Sequence, residues 1–128
     1  MYRIAIVEDD PIMWKMLARA MLAEGIKCTP CPDGAAALEC IPKERPDLVL
    51  LDVNLPDMDG RDICRKLKND ARTRGIPVII LTGEAVALGS RLSGLMLGAE
   101  DYLIKTISPK VLIARIRSIL AASERPRP

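Results

Sequence analysis

An α/β fold built on a parallel sheet is the class this sequence predicts, and three observations predict it. Apolar stretches of strand length alternate five times with segments of helical period. Two of those stretches, 47–52 and 76–82, are apolar nearly throughout, as strands covered on both faces must be. The 128 residues suffice for one domain with a real core, about half of them being hydrophobic. Repeated β-α alternation implies parallel strands joined by right-handed crossovers, with helices on both faces of the sheet.

Each element has its own signal. Residues 2–8 (YRIAIVE) read as a strand. Residues 10–24 read as a helix, with Asp10 as N-cap, Pro11 at its first position and Gly25 ending it. A short strand, 26–29, precedes a helix at 33–41. The strand 47–52 leads to a helix at 59–70. The strand 76–82 is followed by a glycine-rich helix at 85–97, in which Gly89 and Gly94 each cost about 1 kcal/mol against alanine. A fifth strand, 100–105, is followed by a helix at 108–122 with Ser108 as cap and Pro109 at its first position. In the 85–97 helix, Leu88, Leu92 and Leu95 form the stripe expected to face the core, while Val86 and Leu97 fall almost opposite. In the last helix the core stripe is Leu112, Ile116 and Ile119, and Val111 sits beside Arg115 on the polar side. These two helices are therefore expected to expose an apolar face that a partner covers. Residues 1–122 form the domain, and 123–128 read as a tail or the start of a linker.

Composition narrows the chemistry. The chain has no histidine, which excludes His-based metal sites, a Ser-His-Asp triad and phosphohistidine chemistry on its own residues. A net charge of +2 gives no argument for direct nucleic-acid binding. No apolar run approaches the roughly 20 residues of a membrane span, and strand-like sequence starts at once, so a cytoplasmic protein is expected. The four cysteines include Cys28-Thr-Pro-Cys31. At a strand end, residues three apart point to opposite faces, so small buried or half-buried thiols are expected here, not a redox or metal pair.

Ligands of open parallel sheets bind at the carboxyl ends of the strands, near the point where strand order reverses. The strand ends are therefore the place to look. The first ends in Glu8-Asp9-Asp10, the third in Asp52, the fourth in Thr82 and the fifth in Lys105. The second ends in nothing comparable, as suits a strand outside the crevice.

At these residues the sequence resembles the receiver domain of two-component response regulators. The matching motifs are IVEDDP, LVLLDVNLPDMDG, PVIILTG, GAEDYLIK and SPKVLIARIRSIL, in order, over residues 2 to about 122. The resemblance implies the doubly wound, flavodoxin-like receiver fold, a five-stranded sheet of order 2-1-3-4-5 with five helices. It implies Asp52 as phosphoacceptor, Glu8 and Asp9 as the acidic pair that holds Mg²⁺ together with Asp52, and Asn54 as a further ligand through its backbone carbonyl. It also implies Thr82 as the hydroxyl bonded to the phosphoryl group, Lys105 as its counter-charge, and Tyr102 as an aromatic that changes rotamer on activation. The implied donor is a sensor histidine kinase or phosphotransfer protein, and the implied output is an unseen domain or target protein. In the DNA-binding branch the face formed by the fourth helix, fifth strand and fifth helix dimerises through charge pairs. Asp101 and Arg115 match one such pair, and Val111 replaces an acid.

Elementary chemistry agrees with these roles. Clustered carboxylates repel one another, and a hard divalent cation relieves them. Phosphoryl transfer needs an in-line nucleophile and positive charge on the equatorial oxygens, and a carboxylate nucleophile needs no general base. Asp10, Asp57 and Asp59 read as helix caps or turn residues. The sequence departs from the family at Lys105-Thr106, where Lys-Pro with a cis bond is usual. A cis bond before threonine would cost about 3 kcal/mol, so the peptide is expected either trans with Lys105 on a shifted loop, or cis and strained. Ile107 stands where the family usually has phenylalanine, and Gly83 where it has alanine. Glu84 and Asn54 occupy positions that tune acyl-phosphate hydrolysis. A Mg²⁺-dependent aspartyl-phosphate phosphohydrolase is an alternative, but it needs a second aspartate where Asn54 stands. An FMN carrier would need a phosphate loop that is not acidic. A phosphorylation-independent adaptor with the same fold is the remaining alternative.

Overall fold

In the computed structural model, which describes residues 1–83 and 98–123, five strands form one parallel sheet. They are β1 (Arg3–Val7), β2 (Lys27–Cys31), β3 (Leu48–Asp52), β4 (Val78–Thr82) and β5 (Asp101–Ile104), in the order β2-β1-β3-β4-β5. The described helices are α1 (Pro11–Ala23), α2 (Gly34–Glu44), α3 (Gly60–Asn69) and a C-terminal helix (Pro109–Ser123). The helix expected at 85–97, with Val86, Leu97 and the Leu88, Leu92, Leu95 stripe, lies outside the described residues, as do Glu84 and 124–128.

Side-chain alternation along the strands builds two cores, one on each face. Ala5, Val7, Val49, Leu51, Val78 and Ile80 point to one face, where Ala37 and Ile41 of α2 and Ile63, Cys64 and Leu67 of α3 cover them. Ile4, Ile6, Leu48, Leu50, Ile79 and Leu81 point to the other, under Leu17 and Met21 of α1 and Leu112, Ile116 and Leu120 of the C-terminal helix. The near-continuous apolar character of β3 and β4 has this cause, since every residue in both strands is buried.

Local signals set the helix starts. Asp10 accepts from the Ile12 N–H at 2.9 Å with Pro11 at the first turn, and Asp59 accepts from the Arg61 N–H at 2.8 Å. Gly25, just past α1, takes φ +77°, a left-handed conformation that glycine adopts without strain.

Three expectations need correction. The second strand runs to Cys31, beyond residue 29, and includes Pro30. It is the edge strand, where a proline costs little because an N–H on the open side has no ladder partner to lose. The second helix does not stop before Pro42 but runs to Glu44. In the last helix Ile119 is only partly buried, and Ile113 and Leu120 join Leu112 and Ile116 in the core. The thiols are as expected: Cys31 is buried among the α2–α3 side chains, and Cys28 is half-buried on the opposite face.

Candidate functional site

The site grows out of the register of the three central strands and β5. Val7 pairs with Leu51, Asp52 with Leu81 and Thr82 with Ile104, so Glu8, Asp52, Thr82 and Lys105 are brought to one edge. Backbone bonds continue beyond the strand ends. Glu8 N–H donates to the Cys31 carbonyl at 3.0 Å, Val53 N–H to that of Leu81 at 3.1 Å, and Lys105 N–H to that of Thr82 at 2.7 Å.

Asp52 is 3% exposed, and its Oδ2 accepts from Lys105 Nζ at 3.0 Å. Its Oδ1 accepts from the Asn54 N–H at 3.1 Å. Glu8 is equally buried, and its Oε1 lies 2.6 Å from the same ammonium. Asp9 is exposed at the mouth. One carboxylate oxygen from each of Glu8, Asp9 and Asp52 falls within 4.8 Å of the others. Three hard oxygen donors in one cluster fit a divalent cation such as Mg²⁺, which takes carboxylates and keeps water in its remaining positions.

The electrostatics reflect crowding. Burial pushes the Glu8 carboxyl up to about 7, the bond from Lys105 pulls it back, and the Asp52 charge adds to the rise. Burial alone would lower Lys105, but its bonds to Glu8 and Asp52 outweigh this and hold the ammonium above its ordinary value. One cation thus serves two buried carboxylates.

The departure after Lys105 leaves the lysine within reach of the cluster. All described peptide bonds are trans, Lys105–Thr106 included, and the lysine still reaches Asp52. Thr82 is buried beside the cluster, and Tyr102 is 4% exposed within the core that α2 and α3 cover. Asp101 and Arg115 pair within one chain at 3.1 Å, and Val111 is 49% exposed.

The sequence did not reveal three features. Glu8 touches Lys105, although its position next to Asp9 signalled only metal binding. Gly60 packs tightly against the Asp52 backbone: a Cβ there would run into the Asp52 carbonyl. The Asp-Gly pair signalled a turn but not this approach. Asp57, read as a turn residue, instead accepts from the Gly34 and Ala35 N–H groups of α2 at 2.8 and 2.9 Å, and these bonds hold its carboxyl below the usual range.

Comparison with known proteins agrees with this geometry. The family described as "Response regulator receiver domain" matches residues 4–117. The chain is 42% identical over 122 residues to the DNA-binding response regulator MtrA of Mycolicibacterium smegmatis, covering 95% of this chain and 52% of that protein. It is 41% identical over 117 residues to the response regulator PleD of Caulobacter vibrioides, covering 91% of this chain and 26% of that protein. The chain therefore spans about half of the first relative and a quarter of the second. The BeF3-activated N-terminal receiver domain of Klebsiella pneumoniae RstA superposes with a TM-score of 0.81 at 38% identity, over 92% of this chain and 97% of that one.

Proposed function

The chain belongs to the response regulator receiver domain family, and we propose that Asp52 is the residue through which it receives a phosphoryl group. The donor in this reading is the phosphohistidine of a sensor histidine kinase or phosphotransfer protein. The observation that carries the proposal is the pairing of buried Asp52 with Lys105 at 3.0 Å beside two further carboxylates.

The residues divide the work. Asp52 Oδ attacks phosphorus, the bond to the donor nitrogen breaks, and an aspartyl phosphate results. Lys105, held between Asp52 and Glu8, meets the charge on the equatorial oxygens. The Thr82 hydroxyl is the neutral donor to the same group. Glu8, Asp9, Asp52 and the Asn54 carbonyl would hold Mg²⁺, which supplies further positive charge to the phosphoryl oxygens when bound. The chain's own catalysis is confined to assisting its phosphorylation and dephosphorylation.

The added charge and oxygens draw Thr82 and Lys105 inward, and Tyr102 moves into the space this frees. The population then shifts at the face that β5 and the C-terminal helix present. Val111, Asp101 and Arg115 form the partner face in this reading; Val86 and Leu97, expected on it from the sequence, lie outside the described residues. Its occupant is a second copy of the chain, a target protein or an output domain. In this reading residues 1–122 constitute the receiver, working in the cytoplasm.

Intact mass after incubation with Mg²⁺ and acetyl phosphate tests the reading. One added phosphoryl group is expected, and none on Asp52→Asn. Absence of the adduct in the wild-type chain, with no phosphate released, would overturn it in favour of an adaptor that keeps the fold without the chemistry.

A further inference from the structure

The loop between β3 and α3 carries Asn54 and is closed at its base. Asn54 and Asp59 form an antiparallel bridge, and Gly60 N–H donates to the Val53 carbonyl at 2.8 Å. Its tip reaches across to a different element. The Asp57 carboxylate accepts from Gly34 N–H with one oxygen and Ala35 N–H with the other, across 23 and 22 residues of sequence. Met58 lies over the same turn, so that a Cβ on Gly34 would run into its Cγ and Sδ. Asp33 caps the same helix end independently through the Ala36 N–H at 2.8 Å, so Asp57 is a second anion at a helix start that is already capped. Loop closure alone does not require a carboxylate at 57. Its two bonds, each to a separate N–H at the positive end of α2, fix both the position and the orientation of the loop tip.

We propose that Asp57 is a positioning residue for the metal site: by latching the loop tip to α2, it keeps in place the segment that carries Asn54, whose backbone would complete a cation site made by Glu8, Asp9 and Asp52. The assignment rests on the receiver reading of that site. It makes α2 part of the site's support, although no residue of α2 belongs to the acidic cluster. The loop is held at its base and at its tip, so a bound cation would not have to order the segment between them.

The test is Mg²⁺ affinity by calorimetry on the wild-type chain, Asp57→Asn, Gly34→Ala and the double variant, with amide exchange measured on the metal-free proteins. Asp57→Asn keeps one acceptor and loses the other. Gly34→Ala pushes Met58 from the opposite side. Each is expected to weaken Mg²⁺ binding about tenfold, with faster exchange at Asn54 and Gly60 and little change in Tm. The double variant should weaken binding by less than the product, because both remove one latch. Affinity within twofold of wild type in Asp57→Asn, or exchange unchanged at Asn54, would overturn the proposal. A fall in Tm that accounts for the whole loss of affinity would also overturn it. A wild-type chain that binds no Mg²⁺ would defeat the receiver reading instead, and amide exchange at Asn54 and Gly60 would then decide the latch alone.

Discussion

At the scale of single residues, the site concentrates unfavourable charge. Glu8 is buried, and its carboxyl is raised from its ordinary value to about 7, burial being the main cause. A carboxyl that holds its proton more tightly in the folded state stabilises that state below its unfolded pKa, and this contribution is lost as pH rises through the folded value. In metal-free protein, stability is therefore expected to fall between about pH 4.5 and 7. The loss amounts to a few kcal/mol at most, since a tenfold change in proton affinity is worth about 1.4 kcal/mol. Urea denaturation across that window checks the prediction, and Glu8→Gln should flatten the curve. Gly60 makes a second prediction. Its substitution by alanine sets a side-chain atom against the Asp52 backbone, and neither segment can yield cheaply. A loss of about 1–3 kcal/mol is expected, with slower phosphorylation by acetyl phosphate as the acceptor shifts. The positions of Asp52, Asp9 and Lys105 were legible as single letters because each interrupts or follows an apolar strand, whereas their roles were not. Nor was the need for Gly60, because an Asp-Gly pair signals a turn whatever lies against it.

At the scale of elements, caps and breakers set boundaries where neighbours allow it. Pro11 and Gly25 bound α1 as expected, since both act through the local backbone. Pro42 does not end α2: the helix runs on to Glu44, and Arg45 closes it in a left-handed conformation with its N–H donating to the Ile41 carbonyl at 2.9 Å. Asp33 and Asp59 each supply one cap, and Asp59→Ala should cost about 1 kcal/mol by thermal denaturation, since α3 then keeps one N–H unsatisfied. The last helix meets β5 through Asp101 and Arg115 at the rim. A rim pair whose arginine is largely exposed contributes about 0–1 kcal/mol, so exchanging it between two copies of the chain would cost little. Arg115→Ala is accordingly expected to leave the monomer's stability within about 0.5 kcal/mol. Any effect it has on association, read by ultracentrifugation with and without acetyl phosphate, would then belong to the interface.

At the scale of the whole molecule, a sheet covered on both faces leaves its carboxyl edge as the place where charge can gather. The described residues carry two separate cores, and the acidic cluster stands at the edge between them. A cation held there would bind the folded chain and not the unfolded one. Mg²⁺ at about a hundred times its Kd should add roughly 2.7 kcal/mol, or about 10 °C in Tm. Asp9→Asn should abolish most of this gain. By itself the sequence determined the α/β class, the five strands and the residues at their ends, because alternation, apolar runs and caps act over a few residues. Strand order and the roles expected of the site residues were legible only through resemblance to a family. Tertiary structure alone decided that Lys105 reaches Asp52 across a trans bond before Thr106, that Lys105 also holds Glu8, and that Asp57 fastens its loop to α2. Each of these contacts joins groups far apart in the chain, where no local pattern of side chains records the meeting.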